Sequence, residues 1–250
     1  MNISGMGSNM DYGKIASGKR INSASDDASG LTIAKKLESQ SKSLTAGAEN
    51  ANSSIGVTNI ADGALSGVQD YLQRMKELSV KAMNGLNTPN DLKSIQKEID
   101  GALSGIQDIA KGTEFNTMKI LDGSMANMNV ASNPDGTGMK IQMANSTLEA
   151  LGIDGYNVTG DFDISKIDDA LNKISSSRSG LGASSNGLSY TYSSNSNAAL
   201  QQIGSQSKIE DLDIPQAISD KKKNEVLEDY KIMMQNKQMD QESLVTKLLQ

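Results

Sequence analysis

The chain has 250 residues, a formal net charge of −6, only 3% aromatic residues and no His, Cys or Trp. Without His and Cys it lacks the imidazole base, the thiolate nucleophile and the usual zinc ligands, so we expect neither an enzyme nor a cofactor. Carboxylate-only metal sites and Ser–Lys chemistry remain open, but no spacing suggests either. The scattered basic residues, and the lack of an apolar run of about 18 residues, favour neither a nucleic-acid partner nor a membrane span.

The first 30 residues are rich in Gly, Ser and Asn and predict a polar loop that leads into a helix. Residues 1–10 lack the basic and apolar regions of a secretory signal peptide, so we expect none of the Sec type. A chain without Cys suits the cytosol or export without disulfides, which leaves the compartment open.

Helical periodicity runs from Leu31 to about Gly85. Its second half carries a heptad seam, and a second apolar strip lies roughly 60–100° further round the helix. An arc this wide needs two neighbouring helices, which favours a bundle over a two-stranded coiled coil. The seam is Ala64, Val68, Tyr71, Met75, Leu78 and Ala82, and the second strip is Ala61, Leu65 and Leu72.

The stretch NGLNTPND, residues 84–91, breaks this helix. Gly85 predicts a left-handed C-terminus, and Pro89 predicts the first turn of the next helix. Apolar spacing resumes at Asp91 and ends near Lys111 and Gly112. The sequence therefore predicts two antiparallel helices joined by a short turn.

The middle of the chain changes to short alternating segments with turn residues. Asp135–Gly136 is a hairpin signal, and we predict a small β-hairpin at 125–145. Helical spacing returns at about Ile164 and continues through a Ser-rich surface to Ile203.

The last stretch, residues 214–250, predicts one more helix or a broken pair. One face carries Val226, Tyr230, Met233 and Met234, and the end of the chain carries Leu244, Val245, Leu248 and Leu249. Apolar residues at a chain terminus either dock within the molecule or await a partner, and both remain open.

Several strings, in this order, resemble bacterial flagellin. They are SGKRINSASDDASGLTIAKKLESQ, LQRMKELSVKAMNGLN and IQKEIDGALSGIQDIAKGTEFNTMKILDG, then SSRSGLGASSNGL and SQSKIEDLDIPQAIS. The resemblance implies a mainly α fold, an elongated antiparallel helical bundle of the N- and C-terminal segments with a small β-hairpin region between them. It also implies a secreted structural subunit of the flagellar filament, exported unfolded by the flagellar type III system and polymerising with itself. Head-to-tail contacts that do not close produce such open helical filaments.

The same resemblance implies five parts along the chain. They are an inner-domain N-terminal segment at 1–30, a helical rod part at 31–124, a hairpin and loop insert at 125–163, a C-terminal rod helix at 164–207 and a C-terminal inner-domain segment at 208–250.

In flagellins, the helix pair matching residues 71–85 and 91–112 carries the surface bound by Toll-like receptor 5. By similarity, the receptor-binding residues are Gln73, Arg74, Leu78, Ile95 and Glu98. We expect Arg74 on the flank of the seam and Leu78 at its edge, both partly exposed. A second interpretation is a solvated face with i,i+4 pairs between Asp70 and Arg74 and between Glu77 and Lys81. The face could also be a contact between filament subunits.

The chain departs from the family pattern at both ends and in the middle. Fewer residues precede SGKRINSA than in typical flagellins, and the large outer domains are missing, so the resemblance implies a short form. The C-terminal segment, more charged and less Ala-rich than usual, could be captured by the flagellin export chaperone. A hook–filament junction protein, or a minor flagellin-like protein that does not form bulk filament, is therefore the alternative.

Overall fold

The computed structural model describes residues 12–248, with side chains through residue 241. The chain divides into two compact units, one of Met1–Ser41 with Leu200–Gln250 and one of Lys42–Ala199. Helix α1 is described at residues 12–17. The remaining elements are α2 (Ala28–Ala82), α3 (Pro89–Gly112), β1 (Glu114–Phe115), β2 (Met118–Lys119), β3 (Asn127–Ala131), β4 (Gly138–Gln142), α4 (Leu148–Leu151), α5 (Ser165–Glu210) and α6 (Ile214–Leu248). The mainly α fold with a small central β region is confirmed.

The turn between α2 and α3 is built by side chains rather than by a left-handed glycine. The prediction for Gly85 is wrong, because this residue is absent from the positive-φ glycines. The Asn87 side-chain amide instead donates to the carbonyls of Lys81 (2.7 Å) and Ala82 (3.2 Å), two of the orphan acceptors at a helix end. The prediction for Pro89 is confirmed: it lies in the first turn of α3, between Thr88 and Asp91, which form a capping box.

The core of the second unit is a single apolar cluster that joins α2, α3, α5 and the insert between them. Two contacts with each neighbour show that α2 is antiparallel to both. Towards α3, Arg74 pairs with Glu98 and the preceding Tyr71 lies against the later Gly105. Towards α5, Lys76 pairs with Asp168 and the preceding Asp62 pairs with the later Arg178. The predicted seam and strip enter this core, with Tyr71 more exposed than expected. Fully buried members include Leu65, Leu72, Met75, Ile99, Ile106, Ile153 and Ile167.

The predicted hairpin is confirmed as strands β3 and β4, which pair Asn127 with Gln142 and Ala131 with Gly138. Its turn includes Gly136 at φ 83°, a conformation that glycine adopts without strain. The hairpin is held on two helices: Asn50 of α2 donates to Ala131 O (2.8 Å), and Asn195 of α5 donates to Ser132 O (2.5 Å).

Two further elements of the insert were not predicted as separate structures. Strands β1 and β2 form a two-residue hairpin whose turn places Asn116 and Thr117 at positive φ. Helix α4 begins after Thr147 and ends at Gly152 in the left-handed conformation. The segment after α4 is part of the core, since Tyr156 and Val158 are buried.

In the first unit, the polar segment before α2 lies along the end of α5. The backbone N–H of Arg20 donates to Glu210 O (2.7 Å), and that of Leu212 donates to Gly18 O (2.9 Å). Asp27 accepts from the Gly30 N–H (2.8 Å) and so caps the start of α2. Helix α6 is one helix rather than a broken pair.

Candidate functional site

The five predicted receptor-binding residues divide into two groups. Gln73, Arg74 and Glu98 are exposed. Leu78 and Ile95 belong to the core, with exposed fractions of 2% and 5%. The expectation that Leu78 is partly exposed is therefore wrong. The side chain of Leu78 packs in the core instead of lying on the surface.

The exposed group is organised by one arginine that bridges two helices. Arg74 of α2 donates through Nη2 to Glu98 Oε2 of α3 (2.8 Å) and through Nη1 to Glu77 Oε2 (3.2 Å). These carboxylates, Glu98 first, raise the pKa of the Arg74 guanidinium. The three side chains are all more than half exposed, so the pairs fix the arginine's position and add little stability.

This geometry replaces the predicted charge pairing along α2. The predicted pairs of Asp70 with Arg74 and of Glu77 with Lys81 are wrong. The guanidinium of Arg74 forms its ion pairs with Glu77 and Glu98 instead. Asp70 instead acts on Arg178 of α5, whose pKa is raised mainly by its hydrogen bond to Asp62 and further by Asp70. Charged side chains of α2 thus form ion pairs with both neighbouring helices, α3 and α5.

Two ion pairs between α2 and α5 were missed by sequence reasoning. Arg178 donates to both carboxylate oxygens of Asp62 (2.8 and 3.3 Å) and to Gln69 Oε1 (2.8 Å). Lys76 donates to Asp168 Oδ1 (2.5 Å). The only available signal was the single arginine in the Ser- and Gly-rich stretch of α5, and its partners are more than 100 residues away.

In the first unit, a buried carboxylate joins the two ends of the chain. Glu210 is 3% exposed; it accepts from Lys19 Nζ (2.6 Å) and from Gln206 Nε2 (2.8 Å). The Lys19 ammonium holds the pKa of Glu210 below its usual range. Arg20 adds a bond from its guanidinium to Ile209 O (2.5 Å). These contacts join two of the strings that resemble flagellin, SGKRINSASDDASGLTIAKKLESQ near the start of the chain and SQSKIEDLDIPQAIS near its end.

Helix α6 presents an uncovered apolar face, which we call the α6 stripe. Every described side chain from residue 222 to residue 241 is exposed. The stripe lies within about 120° of the helix surface, at 100° per residue. It consists of Val226, Leu227, Tyr230, Met233 and Met234, which are 44–67% exposed. The final apolar residues, Leu244, Val245, Leu248 and Leu249, lie outside the side chains that the structure describes, as do residues 1–11.

Across residues 12–248, no helix is both long enough and apolar enough to span a membrane. Among the side chains that the structure describes, which end at residue 241, no group of three or more acidic residues is placed to hold a metal ion.

The pairing of two segments distant in sequence, a helical core with a small β insert and an uncovered last helix define a mainly helical protein. The family model of the bacterial flagellin N-terminal helical region matches residues 6–126, and the family model of the bacterial flagellin C-terminal helical region matches residues 164–249. The chain belongs to the bacterial flagellin family.

Individual relatives agree with this assignment. The chain is 42% identical over 148 residues to the phase 1 flagellin of Salmonella naestved and 40% identical over 148 residues to the flagellin of Salmonella budapest. Each match covers 59% of this chain and 29% of the relative, so the chain spans under a third of the length of these proteins.

Two solved structures share the fold. The crystal structure of Bacillus cereus flagellin is 25% identical with a TM-score of 0.51, and the match covers 59% of this chain and 86% of that one. A structure described as a flagellar hook-associated protein of Vibrio parahaemolyticus has a TM-score of 0.62 at 14% identity, covering 74% of this chain and all of that one. The second likeness concerns the fold alone.

Proposed function

We propose that the chain is a structural subunit of the bacterial flagellar filament, exported through the flagellar type III system and assembled outside the cell. The observation that carries the proposal is the pairing of the two family regions in one unit, through Lys19, Arg20 and Glu210. The first unit combines segments that are distant in sequence, so it can be completed only after both have passed an export channel as an extended chain.

The α6 stripe supports self-association. Burying its five half-exposed side chains would contribute about 4–8 kcal/mol, taking about 1.5–3 kcal/mol for each fully buried apolar side chain. Association costs about 4–15 kcal/mol, so the stripe alone matches only the lower end of that cost. A stable filament therefore requires further contacts beyond α6.

Negative-stain electron microscopy of the purified full chain, under salting-out conditions and with preformed seeds, tests this proposal. We expect long filaments from the wild type and a loss of elongation for Tyr230→Asp, which puts a charge in the stripe. Ile232→Asp is the matched control, because Ile232 is similarly exposed but lies about 160° from the centre of the stripe.

A folded wild-type chain that never elongates would contradict the filament role. If that chain instead binds only to the ends of existing filaments, the alternative role at the hook–filament junction applies. Its support is the fold shared with the hook-associated protein of Vibrio parahaemolyticus.

The segment 208–250 is also proposed to bind the flagellin export chaperone before secretion. The α6 stripe supports this step, because an uncovered apolar face on a charged helix suits recognition in a hydrophobic groove. Titration of the purified chaperone by calorimetry should show weaker binding for Tyr230→Asp than for Ile232→Asp. Equal affinities for the two variants would remove the stripe from the chaperone site.

We further propose that Toll-like receptor 5 binds the α2–α3 face, through the exposed Gln73, Arg74 and Glu98, with Leu78 and Ile95 beneath them. Arg74 supports the proposal because its two ion pairs hold it in place before any partner binds, which reduces the entropy cost of association. Arginine is also among the residues most often found at the centre of binding surfaces.

The test is surface plasmon resonance with the soluble receptor ectodomain. Arg74→Ala should weaken binding by about 30-fold, which corresponds to about 2 kcal/mol. Its thermal stability should stay within about 1 kcal/mol of the wild type, because exposed ion pairs contribute little. Lys93→Ala is the control: Lys93 is exposed but lies about 140° from Glu98 around α3. Equal binding by Arg74→Ala and the wild type would remove Arg74 from the site.

A further inference from the structure

The sequence contains two Asn–Gly dipeptides, Asn84–Gly85 and Asn186–Gly187, in different settings. Asn84–Gly85 lies in the turn between α2 and α3, where both residues are exposed. Asn186–Gly187 lies inside α5, with Asn186 also exposed. The two sites therefore share sequence and solvent access and differ in backbone structure.

We propose that Asn84 is a site of spontaneous deamidation, which converts it into a mixture of aspartate and isoaspartate. The backbone nitrogen of Gly85 attacks Cγ of Asn84, a C–N bond forms, and the side-chain nitrogen leaves as ammonia. The solvent carries the amide proton of Gly85 to the departing side-chain nitrogen, which completes the ammonia, and the product is a five-membered succinimide. Water then adds to either imide carbonyl and opens the ring. Opening at one C–N bond restores the chain with Asp, and opening at the other diverts the backbone through the side-chain carbonyl.

The electrophile is held in a suitable arrangement. The Leu86 N–H donates to Asn84 Oδ1 (3.1 Å), so the side-chain carbonyl folds back over the backbone of the next two residues. The same N–H would stabilise the negative charge that develops on Oδ1 when the nitrogen attacks.

The nucleophile is also accessible. Among the described residues, no carbonyl or side chain accepts a hydrogen bond from the Gly85 N–H. Glycine has no β-carbon to hinder the approach, and no residue beyond its two chain neighbours has an atom within 4 Å of the position that a β-carbon would occupy. The nitrogen of Gly85 can therefore lose its proton and attack without any local unfolding.

Asn186 lacks these conditions. The N–H of Gly187 is part of the hydrogen-bond ladder of α5, and the rigid helix keeps the nitrogen away from the side-chain carbonyl. Gly187 also packs against Met139, whose Cε would lie 2.6 Å from an added β-carbon. Reaction at this site requires the helix to open first.

Isoaspartate at position 84 would change the end of α2. The backbone carbonyl of Asn84 accepts from the Asn87 N–H (3.1 Å), and Asn87 in turn caps Lys81 and Ala82. Diverting the backbone turns that carbonyl into a free carboxylate and lengthens the turn. The cap on α2 should then loosen, and the turn should gain one negative charge.

The experiment is peptide mapping of the full chain after incubation at mildly alkaline pH and physiological temperature. Trypsin releases residues 82–93 with Asn84 and residues 179–208 with Asn186. Mass spectrometry then measures conversion at each site, and an isoaspartate methyltransferase identifies the isoaspartate product. We expect Asn84 to react at least about tenfold faster than Asn186, because attack at Asn186 must wait for local opening.

Two comparisons keep the test independent of folding. Asn87 and Asn90 lie in the same tryptic peptide without a following glycine, and they should remain amides. Gly85→Ala should slow conversion at Asn84, since its methyl group crowds the attacking nitrogen. Equal rates at Asn84 and Asn186, or no effect of Gly85→Ala, would overturn the proposal.

Discussion

Replacing Leu78 by alanine distinguishes a core residue from a receptor contact. Leu78 is 2% exposed and belongs to the central apolar cluster. Truncation therefore loses the full transfer free energy of the side chain and leaves a cavity, which for buried leucines costs about 2–5 kcal/mol. A direct contact on the surface would show little loss of stability and a large loss of receptor affinity.

The expected size follows from the size of the unit. We take about 3 kcal/mol for Leu78→Ala, near the middle of the range for buried leucines. For a domain of about 150 residues, each kcal/mol lowers Tm by about 2–4 °C, so the transition should fall by about 6–12 °C. Thermal unfolding followed by circular dichroism measures this shift, and surface plasmon resonance at low temperature measures binding by the folded fraction.

Two variants control the experiment. Leu78→Met keeps the volume and should cost less than about 1.5 kcal/mol. Val80→Ala truncates a neighbour that is 56% exposed, so its stability should change by no more than about 0.5 kcal/mol. An unchanged Tm for Leu78→Ala together with lost receptor binding would refute the assignment of Leu78 to the core.

Two further predictions concern the hairpin and the buried carboxylate. Gly47→Ala should destabilise the chain by about 1–3 kcal/mol in chemical denaturation, because a β-carbon there would overlap the carbonyl oxygen of Ser132. Gly56→Ala, in open space on the same helix, should instead stabilise it by about 0.5–1 kcal/mol; the same sign for both would contradict the close approach. The pKa of Glu210 is lowered by Lys19, so its contribution to stability is present above its unfolded value of 4.5 and is lost as pH falls through the folded value. Below pH 4.5, the Tm of the wild type should therefore fall more steeply with decreasing pH than the Tm of Glu210→Gln. An equal dependence of Tm on pH for the two proteins would contradict the pairing.

The main helices and the hairpin were predictable because their signals are local. Periodicity near 3.6 located α2, α3 and α5, and Asp135–Gly136 located the turn between β3 and β4. The prediction for Gly85 was wrong although its signal is also local. A glycine after a helix predicts a left-handed end, but here the side chain of Asn87 donates to the last carbonyls of α2.

The burial of Leu78 was not predictable from α2 alone, because the segment after α4 packs against the adjacent residue of α2, Ser79. Tyr156 donates through its hydroxyl to Ser79 Oγ (3.0 Å), and Gln96 contacts the backbone of Tyr156 and Val158. These bonds bring the segment after α4 to the same level as the predicted receptor surface. The apolar pattern of one helix carries no information about a loop about 80 residues away. The burial of the site residues Leu78 and Ile95 could therefore be established only from the structure.

The behaviour of α6 links the fold to the proposed assembly. Isolated helices are marginal in water, and most helices in proteins are stabilised by tertiary packing of an apolar face. Every described side chain from 222 to 241 is exposed, so this part of α6 has little such packing in the monomer. Hydrogen exchange in residues 222–241 should therefore be fast in the monomer and slow in filaments, while the buried parts of α2 and α3 stay protected in both. If exchange in that segment remained fast in filaments, the α6 stripe would not be a surface that polymerisation buries.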